Sequence, residues 1–130
     1  MKILVGYDSS NAAKDAMSLA KKYARAFKAS VNVVTSMEKG TEGNQEEIAE
    51  AERGLEYAHS FFEKDGITCK THLLIRGMSP GEDLVKFAED TQVDQVIVGV
   101  KRRSKVGKLI MGSTAQYVIL KAPCPVVTVK

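Results

Sequence analysis

The sequence predicts a doubly wound α/β fold: one domain over residues 1–130, built on a five-stranded parallel sheet in the order 3-2-1-4-5 with helices on both faces. Two observations predict it. Short apolar runs alternate along the chain with longer segments whose apolar residues recur every three or four positions. Strands separated by helices in this way pair in parallel, and right-handed crossovers distribute the helices over both faces.

Ile3-Leu4-Val5, ending at Gly6, is apolar without alternation, as a strand covered on both faces is. Asp8, Ser9, Ser10 and Asn11 then form a helix-capping cluster. Ala16, Met17, Ala20, Ala24 and Phe27 give the first helix its buried stripe, with Lys14, Lys21, Lys22 and Arg25 elsewhere. The β-branched run from Val31 to Thr35 is the second strand, and 38–43 is a polar, glycine-containing loop. Ile48, Ala51, Leu55, Ala58 and Phe62 stand 3, 4, 3 and 4 residues apart, which predicts a helix over about 45–65 that Gly54 weakens.

The segment from Thr68 to Ile75 alternates and keeps polar groups on one face, as a strand near the sheet edge does. Ser79-Pro80-Gly81-Glu82 is a capping box with proline at the first helical position, opening a helix to about Thr91. Residues 95–98 are the fourth strand, ended by Gly99. Ser113 and Gln116 repeat the capping-box pattern at the last helix, which stops near Ala122 before Pro123-Cys124-Pro125. Val126 to Val129 is the last strand.

Composition narrows the function classes. Apolar residues make up 44% and charged residues 27%, which sets the chain apart from disordered sequences. The formal charge is only +3, and the basic run at 101–108 contains no aromatic residue, so a nucleic-acid binder with a broad basic face is not indicated. Cys69 and Cys124 lack CxxC spacing and read as buried free thiols in a reducing compartment. The opening MKILVGYDSS turns polar too soon for a signal peptide, and no run approaches membrane-spanning length. A cytoplasmic protein without a membrane partner is expected.

In doubly wound folds ligands sit outside the carboxyl ends of the strands, where strand order reverses. Here those segments follow the first and fourth strands. Asp8, after the first, suits two roles: an acceptor for ligand donors, or an N-cap. After the fourth strand, the loop from Gly99 to Gly112 matches neither a Walker A motif nor GxGxxG. It leads to a helix start, where free N–H groups and the dipole favour an anion and where Ser113 and Thr114 add hydroxyls. A solvated basic loop with a simple helix cap is the other reading of these residues; the switch-point position favours the anion.

Taken together, the KILVGYDSS opening, Gly77-x-Ser-Pro, the VIVG strand, the G...VGK...GS loop and the APCPVVTV terminus resemble the universal stress protein family over nearly the whole chain. The resemblance implies five parallel strands. It also implies ATP binding through a Gly-x2-Gly-x9-Gly-(Ser/Thr) pattern, which here falls on Gly99, Arg102, Gly112 and Ser113. Arg102 departs from the pattern: its side chain obstructs the close approach a glycine allows, or, with Arg103, supplies charge-assisted hydrogen bonds to phosphate. The same resemblance puts Asp8 on the nucleotide, Gly6 and Tyr7 on the adenine side, and Ser36, Val98 and Thr114 in the pocket. It further implies a homodimer through the last strand, whose edge exposes unpaired backbone groups.

The expectation is an ATP-binding regulatory or stress-response module, with Mg²⁺ brought by the nucleotide. Its alternatives are a nucleotide-free dimeric adaptor and a slow ATP-hydrolysing enzyme. No nucleophile–base pair or metal-binding carboxylate cluster stands out in the sequence. Gly-Tyr-Asp-Ser-Ser also lacks the paired glycines of the Ser-Gly-Gly-x-Asp-Ser loop of ATP pyrophosphatases.

Overall fold

The computed structural model describes residues 1–38, 45–103 and 107–130, the side chains of 101–103 and 109 excepted. In chain order its elements are β1 (Lys2–Gly6), α1 (Asn11–Phe27), β2 (Ser30–Ser36), α2 (Gln45–Glu63), β3 (Cys69–Leu74), α3 (Pro80–Thr91) and β4 (Gln95–Gly99). There follow β5 (Lys101–Arg103), β6 (Leu109–Met111), α4 (Ser113–Lys121) and β7 (Val126–Val129). The main sheet runs β3-β2-β1-β4-β7, all parallel, which is the expected order with β7 as the fifth strand. Most of the loop expected over 38–43 lies outside the described residues.

Apolar burial on two faces explains why β1 is central. Ile3 and Val5 pack with α1 and α2, whereas Leu4, pointing the other way, packs with α3 and α4. All three are fully buried, each worth about 1.5–3 kcal/mol relative to exposure. In α1, alanines at 13, 16, 20 and 24 let the helix lie close to the sheet, with Met17 filling the space between. The α2 stripe comes to rest on Leu55, Ala58 and the fully buried Phe62.

The structure corrects the sequence reading at four places. The stretch after β4 is not loop throughout: β5 and β6 form an antiparallel ladder pairing Arg102 with Ile110. Phe27, placed on the buried stripe, is 59% exposed at the end of α1. Lys21 is instead buried, because its ammonium pairs with Asp65 and lies 3.5 Å from the centre of the Phe61 ring, neutralised at its tip and packed along its stem. Neither expected capping box forms as drawn: the Ser79 hydroxyl donates to Glu82 (2.7 Å), and Gly112, not Ser113, is the N-cap of α4.

Candidate functional site

The chain reverses its strand order around β1, whose two neighbours β2 and β4 lead into different connections. A cavity of about 430 Å³ opens there, above the carboxyl ends of these three strands. That volume lies in the range of small-molecule sites, about 300–1,000 Å³. Gly6, Tyr7 and Asp8 line it from the end of β1 and the turn after it; Val34, Thr35 and Ser36 from β2; Val98, Gly99 and Val100 from the end of β4 and the residue after it. Helix starts complete the wall, with Pro80 and Leu84 of α3, Ser10, Ala12 and Ala13 around the start of α1, and Gly112, Thr114 and Ala115 around α4.

The β1–α1 junction is satisfied by its own side chains. Asp8 Oδ1 accepts from the Ser10 amide at 3.0 Å, and Ser10 Oγ accepts from the Ala13 amide at 3.1 Å, capping α1. Thr35 Oγ1 donates to the Tyr7 carbonyl at 2.7 Å, tying this turn to β2. Ser9 sits between them at φ 65°, a left-handed conformation uncommon for a non-glycine residue. Burial pushes the Tyr7 phenol above its usual pKa, against the opposing effect of its hydrogen bond with Ser9.

The β4–α4 junction differs. A Cβ on Gly99 would lie 2.6–2.7 Å from the carbon, carbonyl oxygen and Cβ of Ala12, so only glycine lets β4 end against the start of α1. Gly112 caps α4 in an extended conformation with no side-chain hydrogen bond, and no acidic residue stands in the first turn. Gln116 Nε2 turns back to the Met111 carbonyl at 3.0 Å. The start of any helix leaves its first N–H groups without intrahelical acceptors, and here the N-cap residue, a glycine, brings no side-chain oxygen to them. The result is a partial positive charge at the cavity wall.

On the β2 side, Ser36 Oγ donates to Asp83 Oδ2 at 2.8 Å. Asp83 is fully buried in the first turn of α3, and its other carboxylate oxygen accepts from Arg76 Nε at 2.6 Å and pairs with Nη2.

The cavity thus brings together Gly6, Tyr7, Asp8, Ser36, Val98, Gly99, Gly112 and Thr114 of the residues singled out from the sequence. Ser113 is the first residue of α4 and is not on the cavity wall; the side chains of Arg102 and Arg103 lie outside the described residues. Sequence reasoning missed Thr35, Pro80, Leu84 and the Arg76–Asp83 pair. Pro80 and Asp83 read as ordinary first-turn residues, and only the tertiary placement of α3 puts Pro80 on the cavity wall and Asp83 in contact with Ser36.

The remaining reactive groups lie elsewhere. Burial pushes the free Cys69 thiol up to about 12 and raises that of the half-buried Cys124, so neither is poised as a nucleophile near neutral pH. His72 is half-buried; its ring packs on Phe87 and Nε2 lies 3.1 Å from Asn32 Oδ1. His59 is exposed beside Glu63. Among the described residues no group of three His, Cys, Asp or Glu side chains is arranged to hold a metal ion, and no helix is long and apolar enough to cross a membrane.

The model of the universal stress protein family matches residues 1–130. A Thermus aquaticus protein, named as the universal stress protein in the QAH/OAS sulfhydrylase 3' region, is 33% identical over 98% of this chain and 97% of its own. Among solved structures, a universal stress protein from Archaeoglobus fulgidus superposes with a TM-score of 0.91 at 39% identity, covering 100% of this chain and 98% of that one. A second structure of a universal stress protein from that organism, solved in complex with dAMP, has a TM-score of 0.84 at 34% identity, covering 100% and 98%.

Proposed function

The chain belongs to the universal stress protein family, and on that premise we propose that its switch-point cavity binds an adenine nucleotide, ATP in the cell, making the protein a regulatory stress-response module. The observation that carries this reading is the uncapped start of α4, which offers backbone N–H donors and positive dipole charge to the cavity wall. A phosphate group is the ligand chemistry such a wall suits best. The dAMP bound to the Archaeoglobus relative supports the same class of ligand.

In this reading the phosphates meet the backbone of Gly112 and the amide of Thr114 on the cavity wall, while Ser113, between them, opens the helix whose dipole faces the phosphates. Asp8 and the backbone of Gly6, Tyr7, Val98 and Gly99 hold the nucleoside. Arg102 and Arg103, in the strand that leaves β4, add charge beside the phosphates, and Mg²⁺ arrives with a di- or triphosphate. Occupancy rather than turnover is the signal. The protein acts in the cytoplasm as a homodimer formed along β7, the edge strand of the sheet beside β4.

Calorimetric titration with ATP, ADP and AMP, with and without Mg²⁺, tests the reading. Saturable binding of at least one of them is expected. Absence of heat at millimolar nucleotide removes it, and rapid release of pyrophosphate would point to the enzyme instead. Sedimentation velocity reads the dimer directly, and a monomer at tens of micromolar would refute the β7 pairing.

A further inference from the structure

Ser36 reaches the cavity from β2, and the start of α4 reaches it by way of β4; the two strands flank β1 on opposite sides. A nucleotide whose phosphate sits at α4 therefore turns its base toward β2 and Ser36. This inference rests on the nucleotide reading and concerns how the base is chosen.

A serine hydroxyl has one proton and two lone pairs. The Ser36 proton is committed at 2.8 Å to Asp83, whose carboxylate is fully buried and held on its other oxygen by the Arg76 guanidinium. A carboxylate facing a guanidinium accepts and does not donate, so the Ser36 proton has no reason to turn toward the ligand. What Ser36 retains for the cavity is acceptor capacity alone.

We propose that Arg76 and Asp83 are positioning residues that fix Ser36 as an obligate hydrogen-bond acceptor, and that Ser36 thereby selects a base carrying an exocyclic amine, as adenine does, over one carrying a carbonyl at that position. The amine donates to Ser36. A keto oxygen there sets lone pair against lone pair and leaves both groups unpaired, a mismatch that costs more than the simple absence of a contact.

Titration of the full chain with AMP, IMP and dAMP tests this. AMP binds about tenfold or more tighter than IMP in the native protein. Ser36→Ala brings the two within about threefold, mainly by weakening AMP. Asp83→Asn presents an amide donor to Ser36 and frees its proton for the cavity, so IMP gains on AMP; a merely structural loss would weaken both alike. Ser36→Ala keeps the test decisive should Asp83→Asn fail to fold, since it leaves the Arg76–Asp83 pair intact. An AMP-to-IMP ratio that is the same in the native protein and in Ser36→Ala overturns the proposal. So does a Ser36→Ala variant that loses only its preference between AMP and dAMP, since the acceptor would then serve the sugar. A native protein that binds none of the three at millimolar concentration overturns the nucleotide reading itself, whereas one that binds AMP and IMP equally leaves that reading standing and removes this inference.

Discussion

After β1 the chain closes on itself: Asp8 holds the Ser10 amide, Ser10 caps α1, and Thr35 holds the Tyr7 carbonyl. After β4 it does not. Gly99 and Gly112 bring backbone rather than side chains to the cavity, and α4 starts without a side-chain cap or an acidic residue. Both junctions line one cavity, yet the first commits its Ser10 and Thr35 hydroxyls and one Asp8 oxygen to the fold, whereas the second presents backbone alone at Gly99 and Gly112. The comparison separates residues that shape the site from residues that bind in it, although both kinds look alike as small polar residues beside a strand end.

Substitutions at the two junctions divide accordingly. The largest effect falls at the contact between them: Gly99→Val drives a side chain into the Ala12 backbone and costs about 3 kcal/mol of stability in urea denaturation, with nucleotide binding lost. A stability change under about 1 kcal/mol would mean that β4 and α1 can move apart. Next, Gly112→Asp caps α4 and raises stability by roughly a few tenths of a kcal/mol, yet weakens nucleotide affinity about thirtyfold through charge repulsion with phosphate. Opposite signs for folding and binding are the signature of an open helix start, and parallel changes would contradict it.

Ser10→Ala reverses that pattern. Loss of the α1 cap costs about 1 kcal/mol while affinity stays within about twofold, because Ser10 serves the helix. A larger fall in affinity would place Ser10 on the ligand. The smallest effect lies away from both junctions. Burial lowers the pKa of His72 below its ordinary 6.5, so the folded state takes up its proton less readily than the unfolded one. Stability is therefore complete above about pH 6.5 and declines as pH falls below it. His72→Gln flattens that part of the profile, and an unchanged slope would assign it to other groups.

The parts of the fold legible in the sequence were those that repeat. The β1 run, the α2 stripe and the prolines after α4 each report a local rule, and all five main strands fall where their apolar runs lie. What stayed hidden depends on partners far along the chain. Lys21 reads as a surface lysine until Asp65 and Phe61 come under it. Asp83 reads as a helix-start acid, although its carboxylate is occupied by Ser36, 47 residues away. The β5–β6 hairpin escaped because two three-residue strands, one of them Lys-Arg-Arg, carry no alternation to detect.

The same division runs through the candidate site. Its glycines stood out because glycine at a strand end is a local signal, and the spacing from Gly99 to Gly112 reinforced it. Pro80 and Leu84, on the cavity wall, were indistinguishable from the start and apolar stripe of any helix. Ser113 was singled out for its hydroxyl, but the helix begins one residue earlier than a serine cap requires, so Gly112 is the cap and Ser113 the first helical residue.

The central claim is that the open start of α4 seats the phosphate. Calorimetric affinities for AMP and for adenosine, measured in the native protein and in Gly112→Asp, test it most directly. AMP binds about tenfold or more tighter than adenosine to the native protein, and the gap closes in the variant because only the phosphate meets the new carboxylate. Equal affinities for AMP and adenosine in the native protein, or a gap that survives in Gly112→Asp, would contradict it.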